Sequence, residues 1–193
     1  MDRLIKLYEN AQESGIDSIE SEKRLLVLYS VAKRGKKSDY KYFLQSYKEN
    51  LGDPGLRDDL TYALCLFEDD TSVRDNIGIM QDPDLVRTQD ILSWLVQIIS
   101  AGQKATEITL AWITKQGGWE WLSKNLSSQD LSSAVKITTS TAFTTKDLNK
   151  LKSYFENLHS IELEKALDEA TDMAKSRISW HKKELPRAID YLS

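Results

Sequence analysis

The fold is decided by the stretch from Arg87 to Leu122, RTQDILSWLVQIISAGQKATEITLAWITKQGGWEWL. Ile91, Trp94, Leu95, Ile98 and Ile99 recur at three- and four-residue intervals, which lays a wide apolar stripe along one face of a helix. Gly102, after Ala101, is expected to close that helix in the left-handed conformation. A second stripe follows at Ile108, Ala111 and Trp112 and stops at Gly117-Gly118, after which Trp119, Trp121 and Leu122 add aromatic surface. Neither helix can bury its stripe alone, so the two must pack as a pair. Three of the five tryptophans fall here, and the densest packing is expected around them.

Working outward, apolar residues keep helical spacing almost throughout. Leu4, Leu7, Tyr8 and Ala11 mark a first helix, ended by Gly15. Asp17 or Ser18 is the expected cap of a second, with Leu25, Leu26, Leu28, Tyr29 and Ala32 turned inward. Ser38 should cap a third, carrying Tyr40, Phe43, Leu44 and Tyr47. Asp53-Pro54 reads as cap plus first helical residue, where the missing N–H of proline does no harm. Leu56, Leu60, Ala63, Leu64 and Phe67 follow, then a short helix from Val73 to Met80 and a turn at Asp82-Pro83.

Beyond the central pair, Ser127 or Ser128 opens a helix with Leu131, Val135 and Thr138. Thr144 with Asp147 resembles a capping box, and Phe143 with Leu148 a hydrophobic staple. A final helix from Glu162 to Glu184 turns Leu163, Leu167, Ala170, Met173, Ala174 and Ile178 inward until Pro186 breaks it, leaving a short tail from Ala188 to Leu192. The sum is all-α, about ten helices joined by short links, which makes successive helices antiparallel neighbours. That is an irregular α-solenoid of helix pairs, read as one domain over residues 1–193.

Composition agrees. Apolar residues make up 40% and charged residues 29% of the 193, with only 8 Gly and 3 Pro, which suits a globular helical chain. A net charge of −4 argues against nucleic acid as partner, since phosphates need a basic face. The lysines and tyrosines from Lys36 to Lys48 are read with the aromatics inward and the lysines in water. No apolar run reaches the ~18 residues of a membrane span. The single cysteine, Cys65, allows no intramolecular disulfide and is read as a small buried hydrophobe, and a cytoplasmic location is expected.

The run Arg87 to Leu92, then Leu110-Ala111-Trp112 and Trp119-Glu120-Trp121-Leu122, resembles the C-terminal domain of aminopeptidase N-type zinc metallopeptidases. Phe143-Thr144-Thr145, Leu148, Leu151, Tyr154-Phe155, Leu163, Ala166-Leu167 and Arg177-Ile178-Ser179-Trp180 follow in the same order. The resemblance implies a HEAT-like array of helix pairs. It also implies a role without catalysis, in which the array packs on the catalytic domain of the same polypeptide, closes an internal chamber and limits which peptides enter. Zinc is then expected in that catalytic domain, none in this chain.

The residues themselves point the same way. Such a peptidase needs His-Glu-x-x-His on one helix for its metal and general base. This chain has two histidines, His159 and His181, far apart and read as surface or packing residues. Nor is there a Gly-x-Ser-x-Gly elbow or a phosphate-binding glycine loop. The acidic runs Glu68-Asp69-Asp70 and Asp82-Pro83-Asp84 read as solvated helix ends. No catalytic residue and no metal ligand is therefore assigned. Residues two apart on a helix face different ways. Either both Trp119 and Trp121 pack in the core, or one meets a neighbouring domain, which makes that pair the candidate interdomain contact. A free-standing α-solenoid binding a protein or peptide in its groove fits composition and period equally well. A domain cut from its neighbour is also expected to self-associate.

Overall fold

The structure, a computed structural model, describes residues 2–192. Met1, read as the first residue of the opening helix, lies outside them. Eleven α-helices occupy the described residues, with no strand among them. The chain divides into two compact units, the first ending at Thr109 and the second beginning at Leu110.

The first unit holds α1 (Asp2–Ser14), α2 (Ser21–Ala32), α3 (Lys37–Glu49), α4 (Pro54–Cys65), α5 (Asp70–Met80), α6 (Ile91–Ser100) and the first half of α7 (Gln103–Lys115). Its chief helix contacts are α2 on α4, α3 on α4 and α1 on α2, so α2 packs on the helix after next rather than mainly on its successor α3. Aromatic rings meeting edge to face run through the core: Tyr8 on Phe43 at 5.8 Å, Phe43 on Phe67 at 6.0 Å and Tyr47 on Trp94 at 5.5 Å. Two arginines are buried with their charges paired. Arg24 reaches Asp59 at 3.4 Å, and Arg57 reaches Asp90 at 3.3 Å. An unpaired charge there would cost several kcal/mol.

Asp53 accepts the Leu56 amide at 3.0 Å with Pro54 behind it, as its sequence predicts. The starts of α2 and α3 differ from the reading above. Ile16–Ser18 is a 3-10 turn, and the cap of α2 is Glu20, not Asp17 or Ser18. The cap of α3 is Lys36, and Ser38 lies inside the helix. Neither Glu20 nor Lys36 makes a side-chain cap bond, so no polar signature marks these starts. The register of α2 also differs. Val27, Leu28, Val31 and Ala32 are buried, while Leu25, Leu26 and Tyr29 face outward.

Gly102 does not take the left-handed conformation. The Glu68 carboxylate instead occupies the space where a side chain would begin, its Oε2 2.8 Å from an ideal Cβ.

The second unit holds the rest of α7, α8 (Gly118–Asn125), α9 (Ser128–Ser140), α10 (Thr145–Glu156) and α11 (Ile161–Leu192). The most extensive helix contact in the structure joins α9 to α11, not the tryptophan-rich segment. Ala134 and Val135 of α9, with Ala170 and Ala174 of α11, are wholly buried, and such small side chains let two helices approach closely. The hydroxyls of Thr139 and Thr171 are buried with no hydrogen-bond partner.

Ser127 and Thr144 cap α9 and α10 as read, accepting the amides of Asp130 at 3.2 Å and Asp147 at 3.1 Å. Phe143 stays half-exposed while Leu148 is buried. Arg177 lies over the Phe143 ring at 5.6 Å and donates to the Ala142 carbonyl at 2.6 Å. Met173, read as inward, is exposed. Pro186 does not end α11, which continues through it to Leu192. The ring's fixed φ suits a helix, and the cost is one backbone bond together with crowding against the carbonyl four residues earlier.

Candidate functional site

The residues with chemical potential turn out to serve the helices. Asp69 caps α5, taking the Ser72 amide at 3.2 Å and its hydroxyl at 2.6 Å. Burial pushes its carboxyl up, but the Ser72 hydroxyl and the amides of Ser72 and Thr71 hold it below the ordinary carboxylate range. Glu68 pairs with Lys33 at 2.9 Å, and Asp70 with Lys104 at 3.1 Å. Asp82 accepts the Asp84 amide at 2.9 Å. On α3, Tyr40, Phe43 and Tyr47 are buried while Lys37, Lys41 and Lys48 are exposed, as helical spacing predicts.

Buried Asp39 accepts the Tyr8 hydroxyl at 3.1 Å and faces Arg34 at 3.4 Å. Burial and the Asp39 charge push the Tyr8 phenol far up, so it stays a donor. Cys65 is buried, and burial pushes its thiol far above the ordinary value, which makes it a poor nucleophile.

The two histidines do not converge. His159 sits in the turn before α11 with φ 50°, whereas His181 is 20 residues into that helix, about 30 Å along its axis. The carboxylate nearest in sequence to His181, Glu184, is engaged by Arg187 at 3.2 Å. Among the described residues no group of three or more His, Cys, Asp or Glu is placed to hold a metal ion. A catalytic zinc needs three protein ligands, and the donors present here do not fit it.

Trp119 and Trp121 part company, as residues two apart on a helix should. Trp119 is 6% exposed, and its ring meets Phe155 edge to face at 5.1 Å. Trp121 is half-buried, with Trp112 tilted against it at 6.2 Å. Gly117 takes the left-handed conformation at φ 79°, and Gly118 passes directly beneath the Trp112 ring. A cavity of about 250 Å³ lies beside Trp119, lined also by Ser123, Ser128, Leu131, Ser160 and Glu162. Its polar lining is one carboxylate, Glu162, and the hydroxyls of Ser123, Ser128 and Ser160.

The profile of the ERAP1-like C-terminal domain family matches residues 2–176. The chain belongs to that family. Glutamyl aminopeptidase of Bos taurus is 26% identical over 173 residues, which are 88% of this chain and 18% of that protein. Glutamyl aminopeptidase of Rattus norvegicus is 25% identical over 181 residues, 92% of this chain and 18% of the relative. Aminopeptidase N of Lactobacillus helveticus is 22% identical over 147 residues, 75% of this chain and 17% of the relative. The chain spans less than a fifth of the length of these relatives. The resemblance carried by Arg87–Leu122 is thus that of an ERAP1-like C-terminal domain, the C-terminal domain of an aminopeptidase.

Proposed function

We propose that the chain serves as the non-catalytic C-terminal domain of a zinc-dependent aminopeptidase that removes N-terminal residues from peptides. In this reading the helices pack on the catalytic domain of the same polypeptide, close its chamber and limit which peptides reach the metal. The family match over residues 2–176 is the observation that carries it. The absence of a three-ligand donor set among the described residues supports placing the zinc in another part of the polypeptide. Trp121, left half-buried at the outer side of the tryptophan cluster, is the better placed of the candidate pair for an interdomain contact.

Zinc analysis and aminoacyl-anilide hydrolysis on the 193-residue chain test this directly. The expected result is substoichiometric zinc and no turnover, with both appearing when an upstream segment bearing His-Glu-x-x-His is included. Stoichiometric zinc with turnover in this chain alone ends the reading. A cytoplasmic location and self-association of the separated domain belong to the same proposal. Cell fractionation checks the first, and a molecular mass that rises with concentration in light scattering checks the second.

A further inference from the structure

Large apolar side chains exposed singly are ordinary, but a contiguous cluster marks a surface that meets something. On α2, Leu25 is 42%, Leu26 56% and Tyr29 41% exposed. They lie within 100° of arc at helical pitch, opposite the buried Val27 and Val31. The other large exposed apolar residues of helices, Ile161, Met173, Trp180 and Tyr191, are strung out along α11, no two of them closer than seven residues. Only α2 presents a compact apolar face among the described residues.

We propose that Leu25, Leu26 and Tyr29 form the surface on which this domain docks against an apolar patch of the preceding part of its own polypeptide. This rests on the reading of the chain as one domain of a longer aminopeptidase. Two observations select that occupant. The matched segment makes up 18% of the glutamyl aminopeptidases and belongs to a C-terminal domain family, so on this reading most of such a polypeptide precedes α1. Helix α1 packs directly on α2, which puts the exposed face within one helix of that junction. The charge pattern selects the chemistry. Glu22 lies one turn before Leu26, and Lys33 one turn after Tyr29 is already neutralised by Glu68 at 2.9 Å. An apolar centre with a balanced polar edge suits an apolar partner and repels neither sign of charge.

Hydroxyl-radical footprinting of the 193-residue chain and of the full-length polypeptide tests the inference. Leu25, Leu26 and Tyr29 should label readily in the chain alone, diluted until it is monomeric, and several-fold less in the full-length protein. Leu26→Asp should leave the unfolding midpoint of the isolated chain unchanged while restoring labelling of Tyr29 in the full-length protein. Equal labelling of Tyr29 in the full-length protein and in the dilute, monomeric chain overturns the inference, as does protection of the full-length protein that grows with its concentration, which would assign the face to a second copy. A full-length, zinc-bearing enzyme whose α2 labels freely sinks the docking face alone. A gene encoding no further segment removes the occupant and takes the aminopeptidase reading with it.

Discussion

The indole of Trp112 lies across the backbone of Gly118 so closely that a methyl group there would come within 2.6 Å of ring atom Cδ2. A ring packed between helices cannot slide away as a lysine end could, so the space is available to glycine alone. Gly118→Ala should destabilise by about 1–3 kcal/mol, the range for overpacking a filled site. Gly117→Ala tests a different mechanism, because its ideal Cβ meets only Glu120 at 3.9 Å while its φ of 79° disfavours any side chain. Its cost should be about 1 kcal/mol. Chemical denaturation of both variants checks the order, and an equal cost would remove the steric argument.

Thr139 and Thr171 each bury a hydroxyl without a partner beside the extensive α9–α11 contact. Valine keeps the shape and removes the desolvated oxygen. Thr139→Val and Thr171→Val should each stabilise the second unit by up to about 1 kcal/mol. Thermal unfolding reads this, and a loss in both variants would mean that the hydroxyls find partners in solution.

Asp69 gives a pH signature. A carboxyl held below its unfolded value of about 4 contributes stability above that pH and loses it as pH falls through the folded value. Asparagine caps nearly as well but cannot titrate. Asp69→Asn should therefore cost less than about 1 kcal/mol at pH 7 and flatten the decline of stability below about pH 4. An acid limb identical to that of the natural chain would remove Asp69 from the account.

The register of α2 is testable with two leucines that differ by two positions. Leu28 is fully buried, so Leu28→Ala should cost about 2–5 kcal/mol. Leu26 is 56% exposed, and Leu26→Ala should stay within about 0.5 kcal/mol of the natural chain. Equal losses on urea unfolding would restore the inward placement of Leu26.

That helix shows where sequence reading ran out. Leu25 to Tyr29 is an unbroken apolar run, followed by Val31 and Ala32, so a 3.6-residue period fits more than one face. What α1 and α4 cover decides between them, and that is tertiary information. The isolated stripe of α6 left no such choice: Ile91, Trp94, Leu95, Ile98 and Ile99 are all buried as read. Caps divide likewise. Asp53, Ser127 and Thr144 announce themselves because their side chains make the bond, whereas Glu20 and Lys36 make none. The run Glu68-Asp69-Asp70 is a solvated helix end as read, exposed at the start of α5, though its sequence does not single out Asp69 as the cap. The exposed face of α2 became visible only once the buried face was known.

The pairing of Arg57 with Asp90 spans α5 and ties α4 to the turn before α6, and the other extensive helix contacts reach no further than two helices along the chain. Nothing therefore has to wait for a distant segment. As the polypeptide leaves the ribosome, the main partner of a helix is within the next two to emerge, so assembly can advance from one end.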